Sequence, residues 1–251
     1  MTNEAPNQHW IYGLHAVLAL LKKHPERIIR LCILKQREDN KIAALLKLAN
    51  KSNIAIEWCH KATLDKLSLE GNHQGVMAYC HAKQSYTEQQ LPDLLQTFAD
   101  PLFILILDGV QDPHNLGACF RSAEAAGVHV IIAPKDKSVG LTPTVSKVAS
   151  GTAEQVPFVQ VTNLTRTLTM LKERGIWIYG AEASAPLSIY QANLLGPLAL
   201  VLGAEGTGLR RLTKEHCDYL VSIPMKGTVN SLNVSVATGI FLFEAARQRL
   251  I

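Results

Sequence analysis

Short apolar runs alternate with amphipathic segments along the chain, and the alternation is sharpest after residue 98. The apolar runs there are rich in Val, Ile and Leu, which is typical of strands covered on both faces. They are Phe103–Leu107, Val128–Ala133, Val156–Val161, Ile176–Tyr179, Leu198–Leu202 and Tyr219–Ile223. Helical spacing predicts helices over Leu116–Ala126, Pro143–Ser150, Leu164–Arg174, Leu209–His216 and Leu232–Arg249. The pattern predicts an α/β fold with a parallel sheet of about six strands covered by helices.

The first part of the chain shows the same alternation on a smaller scale. Its pattern predicts helices over Gly13–Lys23 and Ile42–Leu48, a short helix near Thr63, and strands over Ile28–Leu34, Ile54–Trp58 and Gly75–Tyr79. A polar stretch, Lys83–Gln90, follows. We therefore predict a small α/β domain over residues 1–82, a linker over 83–98 and a larger domain over 99–251.

Positive charge is concentrated in the smaller predicted domain. Residues 1–82 hold 11 Lys and Arg against 7 Asp and Glu, a net charge of +4, whereas residues 83–251 hold 14 against 14, a net charge of zero. A small basic domain of this kind often binds a polyanion, although a solvated surface is an alternative explanation of so modest an excess.

The composition argues against several classes of protein. No apolar stretch reaches the roughly 18 residues that a membrane helix needs, and the first ten residues lack the apolar core of a signal peptide. The five cysteines form no C-x-x-C pair, which favours a reducing cytoplasm over a disulfide framework or a zinc site. Cys59-His60 and Cys80-His81 repeat a Cys-His pair without a supporting carboxylate cluster, so we expect no metal.

Three segments place polar residues directly after apolar runs, where the edge of a parallel sheet binds ligands. In the first, Asn115-Leu-Gly-Ala-Cys-Phe-Arg121, the guanidinium of Arg121 can hold a phosphate through two hydrogen bonds. A surface ion pair between Arg121 and Glu124 is the alternative. Taken alone, this segment is weak evidence for a binding site.

The second segment, Leu202-Gly-Ala-Glu-Gly-Thr-Gly208, surrounds Glu205 with three glycines. Glycine allows a backbone to pass close to a ligand. A dinucleotide-binding fingerprint would place another glycine where Arg211 stands, which disfavours a nucleotide-dependent oxidoreductase.

The third segment runs from Ile223-Pro-Met to Ser231-Leu-Asn-Val-Ser235 and opens the last predicted helix. Asn230 or Ser231 is a good N-cap. A cap does not explain why Asn233, Ser235 and Thr238 also lie in the first turns, where Ala would be a better helix former. These residues therefore indicate a binding role.

Taken together, the three segments resemble the three motifs of the knotted RNA ribose 2′-O-methyltransferases. The matching patterns are N-x-G-x-x-x-R at 115–121, L-G-A-E-G at 202–206, and I-P-M followed by S-L-N-V-S-V-A at 223–237. These enzymes form the SpoU or TrmH family of the SPOUT class. Ile11-Tyr-Gly-Leu-His-Ala-Val17 and His73-Gln-Gly-Val76 are similar to the family's substrate-binding domain, which is related to L30-type RNA binders. The stretches at 107–115 and 241–249 are most similar to bacterial members that methylate a guanosine in the peptidyl-transferase P loop of 23S rRNA.

The resemblance implies a C-terminal trefoil knot, an L30-like N-terminal domain and a homodimer with its sites near the subunit interface. It also implies S-adenosylmethionine as methyl donor, bound largely by backbone groups at Gly203, Ile223 and Leu232. Arg121 would orient the ribose 2′-hydroxyl rather than act as a base, because its pKa lies far above neutrality. The remaining catalytic side chains implied by the motifs are Asn115, Glu205 and Asn233.

Two other functions remain alternatives at this point. A sister enzyme of the same family that methylates a tRNA guanosine has the same motifs, although the separate basic domain favours ribosomal RNA. A non-enzymatic L30-like RNA-binding protein would have lost motif residues, and none is missing.

Overall fold

The computed structural model describes residues 8–37, 39–68, 71–81, 86–99 and 101–250. Contacts within the chain divide it into two compact units. The first takes its described residues from Met1–Gln84 and Ser146–Gln155, and the second from Ser85–Val145 and Val156–Ile251. No helix in the described part of the chain has the length and apolar character needed to span a bilayer.

The first unit is built on a four-stranded sheet with strand order β1-β4-β2-β3. The β2–β3 pair is parallel, and β4 runs antiparallel to both β1 and β2. Helices α1 and α2 pack on one face, where alternate strand residues such as Leu31 and Ile33 meet Leu20 and Leu45 in a buried core. The elements are β1 (Gln8–Tyr12), α1 (Leu14–Lys23), β2 (Ile28–Leu34), α2 (Asn40–Lys51), β3 (Ala55–Cys59), α3 (Lys61–Leu67) and β4 (Val76–His81).

Each helix and strand predicted for residues 1–82 is present, with ends displaced by a few residues. Strand β1 was not predicted. Its five residues, Gln-His-Trp-Ile-Tyr, show no alternation of polar and apolar positions, and it becomes recognisable as a strand once it pairs with β4, Trp10 lying opposite Tyr79.

The second unit contains an eight-stranded sheet in which every neighbouring pair is parallel, with strand order β10-β12-β9-β11-β6-β7-β8-β5. The six predicted strands are confirmed, and two edge strands of two residues each are added. The strands are β5 (Tyr86–Thr87), β6 (Phe103–Asp108), β7 (Val130–Pro134), β8 (Phe158–Val161), β9 (Trp177–Ala181), β10 (Leu187–Ser188), β11 (Leu198–Gly203) and β12 (Tyr219–Ser222). The helices are α4 (Leu91–Gln96), α5 (Pro113–Ala125), α7 (Leu164–Glu173), α8 (Arg211–His216) and α9 (Val234–Arg249). Helix α6 (Pro143–Val148) is divided, since its residues from Ser146 onward are counted with the first unit.

Helices cover both faces of this sheet, which explains why its central strands are apolar without interruption. Ile104 and Ile106 pack with Leu91 of α4 and Leu168 of α7 on one face. On the other face, the guanidinium of Arg249 at the end of α9 lies 4.5 Å from the ring centroid of Phe103. The predicted parallel sheet with helices on both faces is therefore confirmed.

The segment predicted as a linker over 83–98 contains β5 and α4, and its residues 83–85 lie outside the described part of the chain. Strand β5 pairs with β8, and Leu91, Leu94 and Leu95 of α4 are buried in the core of the second unit. The polar composition of 83–90 conceals the short strand, because two residues are too few to show an alternating pattern.

Candidate functional site

The site lies where β6 and β11, neighbours at the centre of the sheet, reach their carboxyl ends with Asp108 opposite Gly203. Helix α5 follows β6, and Asp112 caps it by accepting a hydrogen bond from the His114 backbone N at 3.0 Å. The helix therefore begins three residues earlier than predicted and places Asn115 in its first turn.

Asn233, at the start of α9, joins the three predicted segments. Its Nδ2 donates to Asn115 Oδ1 at 3.0 Å and to Glu205 Oε2 at 3.3 Å. Its Oδ1 accepts from the Ser235 backbone N at 3.0 Å and from Ser235 Oγ at 2.6 Å. The amide thus uses both donors and both lone pairs, which fixes its orientation.

The prediction that Asn230 or Ser231 caps the last helix is wrong. The cap is Asn233, and the helix begins at Val234. Asn230 and Ser231 instead belong to an irregular segment before the helix that lines a cavity.

The glycine-rich loop after β11 turns back on itself. Gly208 N donates to the carbonyl of Ala204 at 2.9 Å, and a side chain on Gly203 would overlap the backbone of Gly208. Gly206 and Gly208 have φ angles of 79° and 65°, a region that favours glycine. The loop geometry therefore depends on these three glycines.

A cavity of about 370 Å³ opens beside this loop. The three residues predicted to bind the cofactor, Gly203, Ile223 and Leu232, all line it, and so does Glu205. Its volume and mainly apolar wall suit a ligand of nucleotide size. The cavity therefore fits the predicted cofactor.

Two charged lining residues, Glu182 and Lys214, were not predicted. They form an ion pair in which the Lys214 hydrogen bond lowers the pKa of Glu182 below its ordinary value. Glu182 follows directly after β9, as Asp108 ends β6, so its position after an apolar run was the available signal.

Asp108 is a buried carboxylate behind the loop. Its Oδ2 accepts from the Arg210 backbone N at 3.0 Å, and Arg210 Nε lies 3.3 Å from Oδ1 as an ion contact without hydrogen-bond alignment. Arg210 also donates through Nη2 to the Asp136 carbonyl at 3.0 Å. Asp108 thereby fixes the end of the glycine-rich loop to the central strand.

Arg121 is not brought into the hydrogen-bonded cluster. Six residues after Asn115, it lies about 9 Å further along α5 and about a third of a turn around the axis. Its side chain is exposed, and among the described residues it has no hydrogen-bond or ion-pair partner. The alternative pair with Glu124 does not form.

The cysteines near the site are not positioned for nucleophilic chemistry. Burial raises the pKa of Cys119 on α5 to about 11, and the thiol donates to Thr238 Oγ1 at 3.4 Å. In the first unit, Cys32, Glu57 and Cys59 place their ligand atoms within 4.8 Å of one another. Burial there raises the pKa of Cys32 to about 12.

The fold and the site define an α/β protein that holds a ligand of nucleotide size beside a cluster of amide and carboxylate groups. Residues 102–243 match the model of the SpoU rRNA Methylase family, and residues 10–86 match that of the RNA 2′-O ribose methyltransferase substrate-binding domain. The chain belongs to the SpoU rRNA methylase family.

Individual relatives extend this result. The chain is 54% identical over 239 residues to the 23S rRNA (guanosine-2′-O-)-methyltransferase RlmB of Escherichia coli K12, covering 95% of this chain and 98% of the relative. The SpoU methyltransferase AviRb of Streptomyces viridochromogenes, solved with AdoMet, shares the fold at 21% identity and a TM-score of 0.78, over 97% of this chain and 91% of AviRb. The TrmH/SpoU tRNA modifying enzyme of A. aeolicus is 31% identical with a TM-score of 0.56, over 65% of this chain and 84% of that enzyme.

Proposed function

We propose that this protein transfers a methyl group from S-adenosylmethionine to the ribose 2′-hydroxyl of a guanosine in 23S rRNA, in the peptidyl-transferase P loop. The observation that carries the proposal is the Asn115–Asn233–Glu205 cluster beside the cavity of about 370 Å³. The nearly full-length similarity to RlmB supports the choice of reaction and RNA.

S-adenosylmethionine would lie in the cavity against Gly203, Ile223 and Leu232 and would supply an electrophilic methyl group. The backbone at these positions offers N–H and C=O groups for hydrogen bonding. The missing side chain at Gly203 keeps the loop closed on itself, so the wall of the cavity has a fixed shape.

The side chains of the cluster would position the ribose. The Asn233 side chain makes four hydrogen bonds, so its position is fixed. Among the described residues, Asn115 Nδ2 and Glu205 Oε1 have no hydrogen-bond partner. Asn115 Nδ2 can donate a hydrogen bond to a ribose oxygen, and Glu205 Oε1 can accept one from a ribose hydroxyl. Positioning of this kind favours in-line attack by the 2′-hydroxyl.

Arg121 would orient the hydroxyl and an adjacent RNA phosphate. An exposed guanidinium with no partner within the described chain is available to donate two hydrogen bonds to a phosphate. The proton leaves the hydroxyl for another acceptor, and an RNA phosphate is our candidate.

RNA capture is the proposed role of a substrate-binding domain over residues 1–82, with an L30-like fold. Its net charge of +4, against zero for residues 83–251, supports this division of labour. Residues 99–251 would form the catalytic domain, with the trefoil knot of the family at its C-terminal end. Work on ribosomal RNA implies a cytoplasmic location.

A homodimer is also part of the proposal. Helix α9 carries Val236 and Phe243 two turns apart, each about half exposed, although Phe241 and Leu242 on the same helix are buried. A helix that is apolar on more than one side is normally covered on more than one side. The uncovered side of α9 is therefore our candidate for the contact with a second copy.

The tRNA alternative is less well supported. The tRNA modifying enzyme of A. aeolicus aligns with 65% of this chain, whereas RlmB aligns with 95%. The non-enzymatic alternative does not explain why the three side chains of the Asn115–Asn233–Glu205 cluster are assembled beside a cavity.

The experiment is methyl transfer by the Arg121→Ala variant. We expect it to bind S-adenosylmethionine as the wild type does, measured by calorimetry, and to lose methylation of 23S rRNA by at least about a hundredfold, as expected for loss of a charged positioning group. A Gly203→Val variant should lose S-adenosylmethionine binding instead. Full activity in Arg121→Ala would refute the role of Arg121, and a P-loop guanosine that stays methylated in a deletion strain would refute the substrate.

A further inference from the structure

The face of the first unit's sheet opposite α1 and α2 carries a row of side chains in lateral register. Trp10 on β1 lies opposite Tyr79 on β4, and Tyr79 lies opposite Arg30 on β2. Residues directly opposite in a sheet project from the same face. Three neighbouring strands therefore contribute one side chain each to a continuous row.

The three side chains form a stacked group. The ring centroids of Trp10 and Tyr79 are 4.8 Å apart, and Arg30 Cζ lies 5.5 Å from each centroid. Tyr79 Oη donates to Gln8 Oε1 at 2.9 Å. Because the rings and the guanidinium pack on one another, their positions are set before any ligand arrives.

Helix α3 covers only part of this face. Its Leu64 packs with Cys32, Cys59 and Met77 in a separate small core, which Trp10 also contacts. The row itself remains accessible to solvent, because Trp10 and Tyr79 are half-buried and the Arg30 side chain is 47% exposed. Partly exposed aromatic rings beside a guanidinium present flat apolar faces and hydrogen-bond donors to a ligand.

We propose that Trp10, Tyr79 and Arg30 form a stacking platform for unpaired RNA bases. This inference rests on the proposed function and identifies the surface of the first unit that binds RNA. Unpaired bases stack on aromatic rings and guanidinium planes at a sheet surface, whereas the bases of a duplex are already stacked on one another and are not accessible. The occupant is RNA rather than a protein because residues 1–82 carry 11 basic against 7 acidic residues.

The charges around the platform are mixed and fit this ligand. Glu57 Oε2 lies 3.6 Å from Arg30 Nη1, with both side chains about half exposed. The pair is weak in water, so a phosphate can compete with Glu57 for the guanidinium. Arg27, beside the same end of β4, donates to the His81 carbonyl and is ion-paired with Glu154, so Arg30 is the guanidinium that the platform offers to a ligand.

The test uses the full chain and a labelled, short single-stranded oligoribonucleotide, with a duplex of the same length for comparison. Replacing Trp10 by Ala should weaken single-strand binding roughly five- to hundredfold, the range measured for loss of one base–aromatic stack. Duplex binding should change much less. The matched control is Trp58→Ala, because Trp58 is 45% exposed on β3 but projects from the other face.

A second pair of variants protects the test against misfolding. Arg30 is half exposed, so Arg30→Ala should keep the fold, and it should weaken binding more than Arg30→Lys, which keeps the charge but not the planar group. Equal losses for Trp10→Ala and Trp58→Ala, or wild-type binding by a folded Trp10→Ala, would overturn the platform. A changed oligomeric mass in Trp10→Ala would assign this face to a second copy instead. Methylation of 23S rRNA by the wild type is measured in parallel. Loss of the platform proposal would leave this methylation intact, whereas its absence would refute the proposed function.

Discussion

A single buried carboxylate holds the glycine-rich loop in place. Asp108 has no solvent-exposed side-chain surface, and it contacts both the backbone and the guanidinium of Arg210. Burying a charge is costly unless it is paired, so the pair determines where the loop can end. Asp108 does not line the cavity, and its effect on a ligand is exerted through the loop.

Replacing Asp108 by Asn should loosen the loop without changing the cavity-lining residues. We expect the affinity for S-adenosylmethionine to fall several-fold and the free energy of unfolding to fall by about 1–3 kcal/mol, because Arg210 loses its charged partner. Calorimetry and urea unfolding measure the two effects. Asp112→Asn is the control, since Asn caps a helix as well as Asp. An unchanged affinity in a destabilised Asp108→Asn protein would show that the loop is held by other contacts.

At the scale of elements, the strands were the easiest part to predict and the starts of the helices were the hardest. The buried parallel strands are apolar throughout, so the runs at 103–107 and 198–202 needed no tertiary information. Helix α9 begins at Val234 because Asn233 is needed as a bridge to Asn115 and Glu205. Asn115 and Asn233 are more than a hundred positions apart in the sequence, so no local sequence pattern reveals their contact.

The same limit applies to the candidate site. Sequence motifs identified Asn115, Glu205 and Asn233, and the structure places them in hydrogen-bonding contact. The ion pair of Glu182 with Lys214 depends on the packing of α8 beside the end of β9, which the sequence does not show. The separation of Arg121 from the cluster follows from helix geometry once the start of α5 is known.

Helix α9 carries an acid-sensitive contact. Glu244 is buried and accepts hydrogen bonds from Arg247 Nε and Nη2 and from Gln248 Nε2, at 2.8–2.9 Å. Hydrogen bonds from Arg247 and then Gln248 lower the pKa of Glu244 from 4.5 to about 2. Because the pKa is lower in the folded state, this stabilisation is present above about pH 4.5 and is lost as the pH falls towards 2.

Glu244→Gln should therefore lower stability at neutral pH by about 1 kcal/mol, a modest value because Arg247 is 60% exposed. The difference from the wild type should shrink as the pH is lowered through the range below 4.5. Urea unfolding at several pH values measures it. Glu173→Gln, at an exposed position on α7, is the control. A difference that stays constant with pH would contradict the assignment.

At the scale of the whole molecule, the two units differ in charge and in the kind of surface they present. The first carries the excess of positive charge and an open aromatic row. The second unit, Ser85–Val145 with Val156–Ile251, holds 12 Lys and Arg against 13 Asp and Glu, a net charge of −1, and its last helix leaves apolar side chains uncovered. One unit is therefore suited to a polyanion and the other to an apolar contact with protein.

If α9 forms the contact between two copies, the mass in solution should be twice the 27.5 kDa of one chain. Phe243→Glu places a charge in that contact and should give a protein of single-chain mass, measured by sedimentation equilibrium. Leu212→Glu, on the exposed side of α8, should leave the mass unchanged. A wild-type protein of single-chain mass would refute the dimer.

The central position of the β6–β11 pair has a consequence for synthesis of the protein. Residues 103–108 pair with residues 198–203, and the hydrogen bond of Asn115 requires Asn233, which is synthesised much later. Such distant pairings form late, because a long loop must close before they stabilise the chain. On the ribosome, the four strands of the first unit emerge before the helix that completes the Asn115–Asn233–Glu205 cluster. The proposed RNA-binding surface of a nascent chain can thus form well before the proposed catalytic cluster does.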